Sequence, residues 1–182
     1  GKVRIGNAFT KMKFVQLLPV ATAIALTAAI YVLTAQYFQV NALWLPFISW
    51  ALYFIVGGKP SFLPKEIAGL TGGMLFGYLT LLAVVPIASL VGEALSMPIA
   101  VFLAAFSILL LELIDLFDMI PAHFFSYTSY FAYFFGGFGG EGATSLSIIP
   151  EFWILLMVGL GLGFFTAELR KKILGMQGVQ EN

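Results

Sequence analysis

Apolar residues fill six blocks of this chain, at 14–38, 43–58, 64–88, 97–117, 119–136 and 150–168, and short polar or glycine- and proline-bearing joints separate them. A bilayer core takes roughly 20 apolar residues per helix, fewer where a helix is broken or tilted, so each block predicts one membrane span. Blocks 43–58 and 119–136 are on the short side, which suits broken or tilted helices whose ends turn backbone dipoles toward a solute. The cut between the fourth and fifth blocks rests on Asp115, Asp118 and Pro121. A carboxylate at the bilayer centre costs about 2.5–3.5 kcal/mol on insertion scales, and the residue before proline leaves the helical region.

The same pattern occurs twice. Ser49, Tyr53 and Phe54 lead to Gly57-Gly58, a polar joint, and then Pro64, Gly73 and Gly77. Ser126, Tyr130 and Phe131 lead to Gly136-Gly137, a longer joint, and then Pro150, Gly159 and Gly163 at the same internal spacings. The chain therefore reads as two three-span units, about 14–88 and 97–168. An odd-numbered unit repeated in tandem enters the membrane from opposite sides, which predicts a 3+3 inverted-topology repeat in an all-α integral membrane protein. Interrupted hydrophobic segments at matching places in two halves also point to a transport site near the midplane.

Charge orients the chain. Lys2, Arg4, Lys11 and Lys13 precede the first span, Lys59 and Lys65 lie between the second and third, and Arg170, Lys171 and Lys172 follow the sixth. Six spans put all of them on one side and Glu93, Glu141 and Glu151 on the other. The positive-inside rule then places tails 1–13 and 169–182 in the cytoplasm.

Composition agrees with a membrane location. The chain of 182 residues is 60% hydrophobic and 10% charged, against about 25% charged in soluble domains, and its mean hydropathy is +0.99. That length leaves no room for a soluble domain of ordinary size, so residues 1–182 read as a single membrane domain. The net charge of zero and the lack of a long basic tract exclude nucleic acid as an expected partner. The absence of cysteine excludes disulfides, thiolate metal sites and cysteine nucleophiles.

The stretch from Trp44 to Gly58, the Pro64 to Gly77 segment, Ile120-Pro121 through Phe131, Gly136, Gly139-Gly140, and the run from Gly159 to Phe165 together resemble the DUF1097 family of small bacterial inner-membrane proteins. The likeness covers residues 15–170 and rests on hydropathy, glycine spacing and aromatic placement. It implies a bacterial inner (cytoplasmic) membrane location and carries over no activity and no functional residue. The longer joint before Pro150 departs from the family pattern.

Residues 124–135 hold eight aromatic side chains in twelve, so rings dominate whatever the fifth span faces. On a helix Ser126, Tyr130 and Tyr133 share a face with Phe134 beside them, and Ser49 and Tyr53 are the first-half counterparts. Such a wall would exclude hydrated ions while hydroxyls replace water on a neutral permeant. The competing structural use is packing of the rings on glycines or in an interfacial belt. Gly69, Gly73 and Gly77, with Gly159 and Gly163, have the small-residue spacing of close helix approach. Glu112, Asp115 and Asp118 recur every third residue and would form a vestibule or proton relay on a helical arc, or an interfacial cluster in water. His123 is the sole histidine and is either a protonation gate or a structural interfacial residue. Glu66 beside Lys65 reads as paired with it or solvated.

Gly159-Leu160-Gly161-Leu162-Gly163 lacks the strand and acidic residue of a dinucleotide site, and the glycine-rich loop 136–142 lacks a cation to support an anion nest. One histidine and no cysteine leave few metal ligand sets, so neither enzyme chemistry nor a cofactor is expected. The leading function is a channel or facilitator for a small neutral solute such as urea, ammonia or a dissolved gas, in a homo-oligomer within the lipid bilayer. The alternative is a non-catalytic membrane subunit or scaffold that binds a partner protein. An ion-coupled transporter is less favoured, because every charge falls near a predicted span end.

Overall fold

A computed structural model describes residues 13–179, so Lys2, Arg4 and Lys11 lie outside the described residues. Among the described residues there are six α-helices: α1 (Phe14–Tyr37), α2 (Leu45–Ile55), α3 (Leu63–Val91), α4 (Glu93–Leu110), α5 (Ile120–Phe135) and α6 (Ile149–Met176). Helices α1, α3, α4 and α6 are long and apolar enough to cross a bilayer. The other two have 11 and 16 residues, or about 16 and 24 Å at 1.5 Å per residue, short of a hydrocarbon core of about 30 Å.

Local sequence explains the ends of these helices. Proline occupies the first helical turn of α2, α3, α5 and α6, where its fixed φ suits the helix and its missing N–H costs nothing. The two short helices stop in the same way. Gly57 and Gly137 adopt φ of 109° and 73°. The amides that follow them reach back, Gly58 N to Tyr53 O at 2.8 Å and Phe138 N to Tyr133 O at 3.1 Å. This is the Schellman closure that glycine allows. In α5 it comes nearly one turn later relative to the shared Ser-x3-Tyr motif, and Tyr133 sits on that extra turn.

Two predicted boundaries are corrected. The fourth helix ends at Leu110, and residues 111–113 and 115–117 form separate 3₁₀ turns. Glu112, Asp115 and Asp118 therefore do not share one helical arc. Helix α6 runs on to Met176, so the segment from 169 begins as its last two turns, carrying Arg170, Lys171 and Lys172.

The core is built from two helix pairs, α3 with α5 and α2 with α6, with α4 packed on α3 and α1 on α6. Trp153 Nε1 donates to Thr71 Oγ1 at 2.9 Å and ties α6 to α3. Lys65 Nζ bonds Asp115 and Asp118 at 3.0 and 2.8 Å, which fixes the start of α3 to the joint between α4 and α5.

Candidate functional site

Each pair places the Ser-x3-Tyr face of one half against the Gly-x3-Gly face of the other. In α2 with α6, Ser49 Oγ donates to Leu156 O at 2.7 Å, a Cβ on Gly159 would overlap Ser49 and the Pro46 carbonyl, and Gly163 lies under Tyr53. In α3 with α5, a Cβ on Gly73 would overlap the His123 carbonyl and Ser126, and Gly77 lies under Tyr130. The polar links repeat as well. Trp50 Nε1 donates to Thr166 Oγ1 at 2.9 Å, and Tyr127 Oη and Thr80 Oγ1 share a hydrogen bond of 3.0 Å. One constant offset relates Ser49, Trp50 and Tyr53 to Ser126, Tyr127 and Tyr130, and a second relates Gly73, Gly77 and Thr80 to Gly159, Gly163 and Thr166. In both pairs residue numbers rise together across the contact, so the paired helices run parallel. Gly69 meets Ala122 in the same α3–α5 contact.

Within and beside these helix contacts lie buried polar groups, of which Tyr53 Oη, both Glu66 carboxyl oxygens, His123 Nδ1 and Ser126 Oγ have no hydrogen-bond partner. Buried polar atoms are ordinarily satisfied, so such a group calls for an explanation. On α3, Glu66, Gly73 and Gly77 share the buried face; Glu66 sits level with the end of α2, Ser126 lies beside Gly73, and Tyr133 is two turns beyond Ser126 near Glu151 at the start of α6. Helical rise spaces this seam over about 20 Å.

The two ends of the seam differ. Phe152 of α6 stands edge-on to Tyr130 and Tyr133, with ring centroids 5.7 and 5.6 Å away, and Tyr130 Oη donates to Ser145 O at 2.6 Å. The offset that maps α3 onto α6 carries Glu66 onto Phe152. Tyr53 thus has a carboxyl within electrostatic reach where Tyr130 has a ring.

The remaining sequence candidates separate. Phe134 is half-buried on the flank of α5 and packs edge-on to Phe135 at 5.2 Å. Glu112 is exposed, while Asp115 and Asp118 hold Lys65. His123 is fully buried, its Nε2 3.0 Å from Phe117 O and its ring against Gly72. Glu66, expected to pair with Lys65 or face water, does neither. Its spacing from Gly69, Gly73 and Gly77 by whole helical turns was the signal that could have found it. Among the described residues no three His, Asp or Glu side chains converge to hold a metal ion.

Three of the cavities that flank the bundle measure about 440 Å³ between α1 and α2, about 470 Å³ between α1 and α6, and about 160 Å³ between α3 and α4. Ser49, Tyr53, Ser126, Tyr130 and Tyr133 line none of the three. These hydroxyls instead occupy closed helix interfaces.

Apolar spanning helices around a buried polar seam define an all-helical membrane protein. The chain belongs to the family described as Protein of unknown function (DUF1097), whose model matches residues 21–173. The match begins inside α1 and ends inside α6, so it takes in both helix pairs. No match was found among curated proteins or among solved structures.

Proposed function

We propose that this protein is a small channel or facilitator for a small neutral solute, built as a 3+3 inverted-topology repeat in a bacterial inner membrane with both termini cytoplasmic. The observation that carries this reading is the series of unpartnered hydroxyl and carboxyl oxygens buried at the contacts of the two helix pairs. In hydrocarbon such groups are costly unless something polar visits them. The crossed pairing supports the repeat: a twofold axis in the membrane plane exchanges α2 with α5 and α3 with α6, and so exchanges one pair for the other. The rings of Tyr53 and Tyr130 close the seam, so conduction requires them to move aside. No catalytic step and no cofactor is assigned. A homo-oligomer would form through other surfaces, because Gly69, Gly73, Gly77, Gly159 and Gly163 are occupied within one chain.

The test is stopped-flow light scattering on proteoliposomes with urea, ammonia, glycerol and water. Selective acceleration over empty vesicles is expected, and Ser126→Ala should slow it. The Ser126 hydroxyl has no partner, so its loss breaks no bond in the fold. Folded protein that accelerates no solute would overturn the reading.

A partner-binding subunit is the second reading, and α1 favours it. Only Val20, Tyr31 and Ala35 of this helix are buried, and cavities flank it on two sides. Aggregation of the isolated chain in mild detergent, instead of one discrete species, would support that reading.

A further inference from the structure

The acceptor surplus at one end of the seam suggests what it selects. Glu66 is fully buried, with neither carboxyl oxygen hydrogen-bonded. A carboxylate offers about four acceptor positions and no donor. The neighbouring cation does not fill them, because Lys65 turns its ammonium to Asp115 and Asp118 at 3.0 and 2.8 Å. Tyr53 Oη is buried and unpartnered within electrostatic reach of it, while Glu168 of α6, the other acidic group near that hydroxyl, is half-exposed and paired with Lys171 at 2.9 Å. With the seam closed, the Tyr53 ring rests against Gly163 and Gly58, which sets the place of the hydroxyl. At the matching place in the other half stands Phe152, and Tyr130 has its own carbonyl partner in Ser145. The unfilled carboxyl is thus a property of one end and not of the repeat.

We propose that the Glu66 carboxyl and the Tyr53 hydroxyl form a binding station for the N–H groups of a small amide or amine. The proposal rests on the solute-pathway reading and adds the chemistry the pathway selects. N–H donors match oxygens that lack donors, and the Glu66 carboxyl, when ionised, favours a positive or partly positive group. Solutes of equal size without N–H groups leave the carboxyl unsatisfied and bind less well.

Saturation-transfer NMR on the purified full chain in detergent tests the site apart from transport. Methylammonium is compared with tetramethylammonium, and acetamide with N,N-dimethylacetamide, so the two arms separate an amine from an amide ligand. Transfer is expected from at least one N–H probe and not from its methylated counterpart, with affinity at least about tenfold weaker in Glu66→Gln and in Tyr53→Phe. These variants keep the volume of each side chain, and Tyr53→Phe removes only an unpartnered hydroxyl, so one folded variant suffices. Equal transfer from methylated and unmethylated probes, or affinity unchanged in both variants, overturns the site. Probe binding lost in Glu66→Gln while proteoliposomes conduct nothing upholds the station and removes the channel. Solute flux indifferent to Glu66→Gln does the reverse.

Discussion

Gly163 lies so close under Tyr53 that a Cβ on the glycine would come within 2.7 Å of the tyrosine Cβ, and Gly77 stands to Tyr130 in the same way, at 2.6 Å from the ring. The tyrosine of each half is seated on the glycine of the other. Neither pair forms within residues 14–88 or within residues 97–168 alone, so the two stretches hold each other's short helix in place.

Alanine at the tightest crossings should therefore destabilise both halves alike. Gly73→Ala and Gly159→Ala push a methyl group into a backbone carbonyl, an overpacking that costs about 1–3 kcal/mol. Gly161 faces open space, and Gly161→Ala should be neutral or gain up to about 1 kcal/mol of helix propensity. Reversible unfolding in mixed detergent micelles reads the difference; equal effects at all three positions would refute the close packing.

The Trp50–Thr166 hydrogen bond should be worth about 0.5–1.5 kcal/mol, the range of interhelical bonds in membranes. A double-mutant cycle of Trp50→Phe with Thr166→Val measures it, and Tyr127→Phe with Thr80→Val measures its counterpart. Coupling of similar size in both cycles is expected. Zero coupling in either would show that the bond does not hold its pair together.

Lys65→Gln should loosen residues 111–119, because one ammonium holds both Asp115 and Asp118. Faster amide exchange is expected in that segment, with α6 unchanged. Salt should reproduce part of the effect in the wild type, since Asp115 is almost fully exposed and exposed pairs are screened. Unchanged exchange would assign the joint to helix packing alone.

The lack of cysteine makes topology directly readable by single-cysteine labelling in intact cells. Ser61→Cys and Gln177→Cys should be shielded from an impermeant maleimide until the membrane is opened, whereas Asn41→Cys and Glu141→Cys should react from outside. Labelling of Asn41→Cys and Ser61→Cys from the same side would exclude α2 as a span and with it the inverted repeat.

Much of this arrangement is legible before folding is considered. Six apolar blocks correspond to six helices because hydropathy is local and a membrane helix must satisfy its backbone within itself. The Schellman glycines and the N-terminal prolines mark helix ends for equally local reasons. The acidic triplet shows where local reasoning fails. Three-residue spacing suggested one helical face, but two 3₁₀ turns and the pull of Lys65 redirect it.

The sequence by itself determined the number and place of the helices, the two Ser-x3-Tyr and Gly-x3-Gly faces, and membership of a membrane family, since each depends on periodicity within a short stretch. Only the tertiary structure decided which face meets which, because either glycine helix offers the same groove to either tyrosine. The same step buried Glu66. Its neighbours in sequence, Pro64 and Lys65, suggest a surface turn, and only the packing of α3 into the bundle buries its carboxyl.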